Sequence, residues 1–328
     1  MEPEASKIRD VAVLGLGTMG HGILLTMSVG GCRVRGYDAS PAVRQTLIQR
    51  LRANLTQMVT VGIIEQERVS EILGRVAVCD TETEAVVGAE FVTEAVTEDL
   101  QVKQELFERL ESLVEPSAIL ASNTSSYPIT DIAAGMRFPE RAVVTHWFNP
   151  PHIVPVVEVV PGAKTSLGTT QTAYDFLHRI GKLPVRVNQE IPGFLVNRVQ
   201  IAMFREIWDL LDRGVASAQE IDRAIRGSMG LRLAALGPLA IIDFAGWDVT
   251  ARVYQNLIPH QRSDTELPGR IQQLIADRHH GVKSGRGVFE YPPESVQQRI
   301  ADRDRTYLEL VKLLNDSPSR MDLDPSSE

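Results

Sequence analysis

Residues 11–20 read Val-Ala-Val-Leu-Gly-Leu-Gly-Thr-Met-Gly, and a helix-like stretch from Ile23 to Ser28 follows them. A short apolar strand running into Gly15-x-Gly17-x-x-Gly20 and then a helix is the grammar of a dinucleotide-binding turn. Gly15 permits the tight bend, Gly17 lets the backbone approach a pyrophosphate, and Gly20 lets helix and strand pack closely. Thr18 and Met19 complete the turn and are assigned with the glycines to cofactor contact. The anion then sits on the positive end of the helix, where N–H groups lack partners. Asp38 closes the next strand-like stretch, Val34 to Tyr37, 18 positions after Gly20. A carboxylate there accepts hydrogen bonds from ribose hydroxyls and repels a 2′-phosphate, so NAD is expected rather than NADP. The competing reading of Asp38 is a solvated residue at a strand end.

Val11 to Cys32 holds no charged residue apart from His21, and its 22 residues are long enough to cross a bilayer. Six glycines and the strand–turn–helix order argue instead for a buried parallel strand with its packed helix.

The chain has 328 residues, which makes two domains the default. Charged residues make up 23% and the net charge is −8, with the basic residues scattered, so no nucleic-acid partner is expected. Cys32 and Cys79 form no metal spacing, no metal is assigned, and two unpaired cysteines suit a reducing cytoplasm. Met1 to Asp10 has no apolar core of a signal peptide. The composition implies a soluble cytoplasmic enzyme with a small-molecule substrate and no membrane partner.

Strand-like and helix-like stretches alternate from Ile8 to about Val187, which predicts a Rossmann-type α/β domain with a largely parallel sheet over residues 1–190. A two-helix insertion covers 41–74. Further strands are expected at Val76–Val78, Phe91–Thr93, Ile119–Ala121, Val143–Phe148 and Ile153–Val160. Helices are expected at Leu100–Leu113, Thr170–Ile180 and Pro192–Arg213, the last opened by proline. Residues 191–292 read as a smaller all-α domain, with helices at Ala218–Met229, Leu236–Asn256 and Leu267–Arg278, and as a site for dimerisation. After Pro292-Pro293 come an added amphipathic helix, Ser295–Leu314, and a polar tail expected to be disordered, together 293–328.

Three polar clusters interrupt the apolar strands. Ser122-Asn123-Thr124-Ser125-Ser126 directly follows a strand, where ligands bind in open parallel sheets. His146 lies in Val-Val-Thr-His-Trp-Phe-Asn-Pro-Pro, and Glu158 is the only formal charge between Arg141 and Lys164. A buried carboxylate needs a partner, and the Asn149-Pro150-Pro151 turn can fold its strand back beside His146. A carboxylate on one imidazole nitrogen leaves the other free to take a proton from a substrate hydroxyl. The third cluster, Pro192-Gly193-Phe194-Leu195-Val196-Asn197-Arg198, places Asn197 where it can donate to the substrate oxygen; an ordinary polar helix residue is the alternative.

From Val11 to about Tyr291 the chain resembles the 3-hydroxyacyl-CoA dehydrogenase family. The matching motifs are GLGTMG, EDLQVKQELF, SNTSS, HWFNP, the strand Glu158 and PGFLVNR. The resemblance implies that His146 is the base, that Glu158 orients it, and that Ser125 and Asn197 hold the reacting oxygen. It assigns NAD contacts to Asp38, Glu98, Lys103, Ser125, Asn149 and Lys283, and it implies a homodimer formed through the helical domain. Without it, Glu98 and Lys103 read as an exposed helix pair.

Two departures bear on substrate. The acyl-CoA enzymes carry a lysine-rich helical hairpin that meets the CoA nucleotide, whereas this chain has no lysine between Lys7 and Lys103. Asn54 and Val61 stand at the family's CoA-contacting positions; Arg44, Arg50 and Arg52 either replace the charge or form a solvated face. Gly230 to Gly237-Pro238 is three residues longer than usual, resembling the branch with lambda-crystallin (a gulonate dehydrogenase), carnitine dehydrogenase and a pyridine-carboxylate dehydrogenase. A buried Arg232 can meet a substrate carboxylate bidentately; packing near the domain interface is the competing reading. The expectation is NAD-dependent oxidation of an L-3-hydroxyacyl substrate, thioester or free acid, to its 3-oxo product. The alternatives are a dehydrogenase of a small free hydroxy acid that does not use CoA, and a non-catalytic NAD-binding protein. A hydroxyisobutyrate-type enzyme shares the glycine-rich opening but needs a catalytic lysine that is absent here.

Overall fold

A computed structural model describes residue 5 and residues 7–316. The chain divides into two compact units, one running to Asn197 and including Asp304–Val311, the other Arg198–Arg303 with Lys312 onward.

In the first unit, β1 (Asp10–Leu14), β2 (Arg33–Tyr37), β3 (Val76–Val78), β4 (Phe91–Glu94), β5 (Ile119–Ser122), β6 (Ala142–Trp147), β7 (Val156–Val160) and β8 (Leu183–Arg186) form one sheet. Their order is β3-β2-β1-β4-β5-β6-β7-β8, and only the β6–β7 pair is antiparallel. The first six strands follow the doubly wound order, which reverses direction between β1 and β4 and leaves a crevice at their carboxyl ends. The covering helices are α1 (Gly20–Val29), α2 (Pro41–Thr60), α3 (Arg68–Gly74), α4 (Glu82–Val86), α5 (Leu100–Leu113), α6 (Ile129–Ile132) and α7 (Leu167–Arg179).

The strands read as continuous apolar runs because both sheet faces are covered. Val11 and Val13 pack with Ile23, Leu24, Leu47 and Phe176 in one core, while Ala12 and Leu14 pack with Leu106, Phe107 and Leu110 in another. The alternation is the two-residue period of a strand dividing its side chains between two faces. Val11 to Cys32 is therefore a buried strand and helix, and among the described residues no single helix is long and apolar enough to cross a membrane.

Register decides where the polar residues emerge. Leu14 is level with Tyr37 and Glu94, Glu94 with Ser122, and Ser122 with Val144. The glycine turn, Asp38, the Ser122–Ser126 run and the end of β6 thus share one edge of the sheet.

The second unit is helical, with α8 (Val196–Asp212), α9 (Ala218–Ile225), α10 (Leu231–Ala235), α11 (Pro238–Ala245), α12 (Trp247–Leu257) and α13 (Gly269–Ala276), the first two residues of α8 belonging to the first unit. α14 (Pro293–Asp316) follows, and its Leu308, only 2% exposed, joins the first unit's core. The expected Pro192–Arg213 helix starts at Val196 instead. Gly193 (φ 79°) and Phe194 (φ 51°) hold left-handed backbone, so Pro192 opens a turn rather than a helix. The expected Leu236–Asn256 helix is broken at Gly246, whose φ of 90° cannot continue a helix. Ala218–Met229 stops as an α-helix at Ile225 and continues as a π-helix, Arg226–Gly230. Most of the polar tail lies outside the described residues.

Candidate active site

The antiparallel β6–β7 pair sets His146 directly opposite Glu158. Their side chains meet, with Glu158 Oε2 2.7 Å from the imidazole Nδ1. Glu158 is fully buried and His146 is 4% exposed. β7 is an interior strand, flanked by β6 and β8. The other Glu158 oxygen accepts from the backbone N–H groups of Leu195 (3.0 Å) and Val196 (2.8 Å), at the start of α8. A buried carboxylate without an arginine or lysine is thereby satisfied by one imidazole and two amides. Phe148 and Phe194 flank the imidazole with ring centroids at 4.6 and 5.6 Å. With Nδ1 committed to Glu158, Nε2 is the nitrogen left for a substrate proton.

Lys103 is 1% exposed, not part of an exposed helix pair. Its ammonium lies 2.6 Å from Glu94 Oε1 and 3.1 Å from Glu98 Oε2. Glu94, a fully buried residue at the end of β4, also accepts from Ser122 Oγ at 2.6 Å and from the Val96 amide at 2.7 Å. Sequence reading missed it; the available signal was an acid closing an otherwise apolar strand, Phe91-Val-Thr-Glu94. Glu98 Oε1 gathers the hydroxyls of Thr124 (2.6 Å) and Ser126 (2.7 Å) and the amide of Ser125 (3.0 Å). Burial alone would raise the Glu98 carboxyl, but these hydroxyls and Lys103 outweigh it and bring it down to about 2. The serine run is therefore shaped by a carboxylate that stays ionised, and Ser125 is held by its backbone with its side chain at an exposed position. Asn123 is engaged too, accepting from the Trp147 amide at 3.0 Å beside His146.

The glycine turn meets its own requirements. Gly15 has φ of 84°, and a Cβ there would lie 2.5 Å from the Ala95 carbonyl oxygen, while one at Gly20 would lie 1.7 Å from that of Gly15. Around Gly17, by contrast, nothing lies within 4 Å of where a Cβ would stand. Internal packing explains two of the glycines; open space above the third fits a pyrophosphate at the N-terminus of α1. Half-buried Asp38 accepts from the Leu16 amide (2.7 Å) and the Ser40 amide (2.8 Å), leaving carboxylate lone pairs for ribose hydroxyls. Two hairpin arginines brace this turn instead of forming a solvated face. Arg50 donates to the Leu16 carbonyl at 2.8 Å and Arg44 to the Asp38 carbonyl at 2.7 Å. The residues present fit NAD.

Of the other sequence-assigned residues, Asn149 is exposed after β6, and Asn197 is half-buried as the second residue of α8. Lys283 and Arg232 fall in the second unit. Lys283 is exposed in a turn between Gly281 and Gly285. Arg232, expected to be buried, is exposed on α10, its Nε 3.4 Å from the Ser228 carbonyl. α10 is a short helix with no buried residue, so nothing in it draws the guanidinium inward.

Comparison with known proteins adds to this geometry. Residues 10–191 match the family model for the 3-hydroxyacyl-CoA dehydrogenase NAD binding domain, and residues 193–291 match that for the C-terminal domain. The chain belongs to the 3-hydroxyacyl-CoA dehydrogenase family. It is an NAD-dependent oxidoreductase acting on CH–OH groups. The enzyme is 36% identical to the 5-formyl-3-hydroxy-2-methylpyridine 4-carboxylate 5-dehydrogenase of Mesorhizobium japonicum, over 94% of this chain and 98% of the relative. It is 34% identical to a probable 3-hydroxybutyryl-CoA dehydrogenase of Bacillus subtilis, over 87% of this chain and 98% of the relative. A crystal structure of a 5-formyl-3-hydroxy-2-methylpyridine 4-carboxylic acid 5-dehydrogenase, described as an NAD+-dependent dismutase, superposes with a TM-score of 0.89 at 35% identity, covering 94% of this chain and 99% of the other.

Proposed function

We propose that the enzyme oxidises the secondary alcohol of a small free hydroxy acid of the 3-hydroxyacyl type to the 3-oxo acid. The observation that carries the reaction is the His146–Glu158 pair. His146 Nε2 takes the hydroxyl proton, and Glu158 holds the ring's tautomer and stabilises the imidazolium that forms. Ser125 and Asn197 hold the reacting oxygen. The glycine turn from Gly15 to Gly20, Asp38, Glu98 and Asn149 hold NAD, with Lys103 acting through Glu98. When bound, NAD supplies the hydride acceptor.

The hairpin supports a free acid over a CoA thioester. Arg44 and Arg50 are committed to the backbone around the cofactor turn, and α2 and α3 contain no lysine. Exposed Arg52 is the remaining α2 arginine for a nucleotide phosphate. Full-length likeness to a pyridine-carboxylate enzyme points the same way. The thioester reading is favoured by the 34% identity to a probable 3-hydroxybutyryl-CoA enzyme. Measuring kcat/KM for acetoacetyl-CoA against a panel of free hydroxy and oxo acids, pyridine carboxylates included, decides between them. A free acid is expected to win, and a strong thioester preference would reverse the assignment.

We further propose that the enzyme works as a homodimer paired through the second unit, in a reducing compartment such as the cytoplasm. Ile221, Ala240 and Pro268 are the only buried residues among that unit's described residues, while Val199, Phe244, Trp247 and Leu257 are exposed. A helical unit of about 100 residues ordinarily buries far more apolar surface than this, and a second copy would supply it. Cys32 and Cys79 are both free and buried, as a reducing compartment allows.

A further inference from the structure

The segment joining β8 to α8 has backbone geometry that its own sequence does not favour. Ile191-Pro192-Gly193-Phe194 is a turn closed by the Phe194 amide on the Ile191 carbonyl at 3.0 Å, with Gly193 at φ 79°. Proline then a left-handed glycine is the ordinary chemistry of a type II turn. Phe194 is not ordinary. Its φ of 51° is a left-handed conformation that bulky residues seldom adopt. Such conformations persist where the surroundings over-determine them, and they cluster at functional sites.

Three contacts over-determine this one. The Phe194 ring is 1% exposed, packed in the core that holds Ile129 and Val160. Its centroid lies 5.6 Å from that of His146, opposing the looseness of an imidazole held at one nitrogen. The bend also delivers the next two amides, Leu195 and Val196, to one oxygen of Glu158. A buried carboxylate that lost those amides would be left with an unpaired oxygen and would turn to find another partner, which moves the base.

We propose that Phe194 is a positioning residue of the reaction: its left-handed turn completes the hydrogen bonding of Glu158 while its ring fixes the His146 imidazole. The proposal rests on the reading of His146 as the base.

The test uses the full-length chain and its Phe194→Ala and Phe194→Leu variants. NAD-dependent turnover is measured together with NAD affinity by titration and hydrogen exchange at Leu195 and Val196. Phe194→Ala is expected to lower kcat by about 10²-fold, the cost of misplacing a reacting group by about 1 Å. The KM for NAD should stay within about twofold, the two amides should exchange faster, and Phe194→Leu should recover most of kcat by restoring apolar volume. Unchanged kcat in Phe194→Ala would overturn the proposal. So would kcat and NAD affinity falling together with no recovery in Phe194→Leu, since that is plain structural damage. A native enzyme with no NAD-dependent turnover would instead defeat the functional reading, and unchanged exchange at both amides in Phe194→Ala would then still refute the positioning geometry.

Discussion

The two units differ in what they bury. The first divides its apolar strand residues between two cores and encloses Glu94, Lys103, His146 and Glu158, each within hydrogen-bond reach of a partner. The second has well-formed helices, yet of its described residues Ile221, Ala240 and Pro268 alone are buried. Burial on both faces of a sheet gives the first unit its stability, and low exposure is what makes its charge pairs strong and costly to break. The second unit's helices leave most of their apolar side chains exposed, the surface that the proposed pairing of two copies would cover. Chemistry prepared in advance belongs to the unit with a core.

The comparison can be broken most directly at the base. His146→Gln should lower kcat by roughly 10²–10⁴-fold, the worth of a positioned general base. NAD affinity should be retained, read as NADH absorbance and cofactor titration; near-normal turnover would separate the buried pair from the chemistry. Lys103→Met comes next. It leaves Glu94 buried without its cation, and chemical denaturation should show a loss of about 3–5 kcal/mol. A variant as stable as the native chain would mean that the buried network is dispensable.

The second unit offers a smaller effect of a different kind. Leu257→Asp alters a residue exposed in the single chain, where substitutions ordinarily stay within about 0.5 kcal/mol. If two copies share this surface, the loss should be about 1–3 kcal/mol, the dimer should dissociate in sedimentation, and the native Tm should rise with protein concentration. Independence of Tm from concentration would return the second unit to the status of a self-sufficient domain.

The smallest effect sharpens the picture of the serine run. Glu98 has a folded pKa of about 2 against an ordinary 4.5. A depressed carboxyl stabilises the fold above its unfolded pKa, and that contribution fades as pH falls through the folded value. Native enzyme should exceed Glu98→Gln in stability at neutral pH, with the gap closing from about pH 4.5 to 2. Because Glu98 is partly exposed, solvent screening keeps the gap modest. Parallel stability curves across that range would show that Glu98 does not organise Thr124 and Ser126.

Much of the fold was legible because its signals are local. Gly15, Gly17 and Gly20 answer to a turn spanning a few residues, and Leu100–Leu113 has the helical period together with Asp99, whose side chain accepts from the Val102 amide at the helix start. The pairing of His146 with Glu158 was within reach too, since a lone acid in an apolar strand demands a partner. Glu94 was hidden because it resembles any acid at a strand end until Lys103 and Ser122 are seen around it. The late start of α8 was hidden because Pro192 is an excellent first residue of a helix, and the left-handed backbone of Phe194 that extends the turn is held by tertiary contacts. Arg232 is exposed in the single chain, because a motif places a residue in sequence, not in depth.

By itself the sequence determined the α/β class of the first unit, the helical character of the second, and the glycine turn of an NAD-binding domain. These follow from rules acting over a few positions, where backbone sterics, capping and periodicity dominate. Only the tertiary structure decided that Glu158 divides its oxygens between His146 and the start of α8, that Lys103 is shared by two acids, and that two arginines brace the cofactor turn. Those assignments depend on which groups lose water together, and desolvation is set by neighbours far away along the chain.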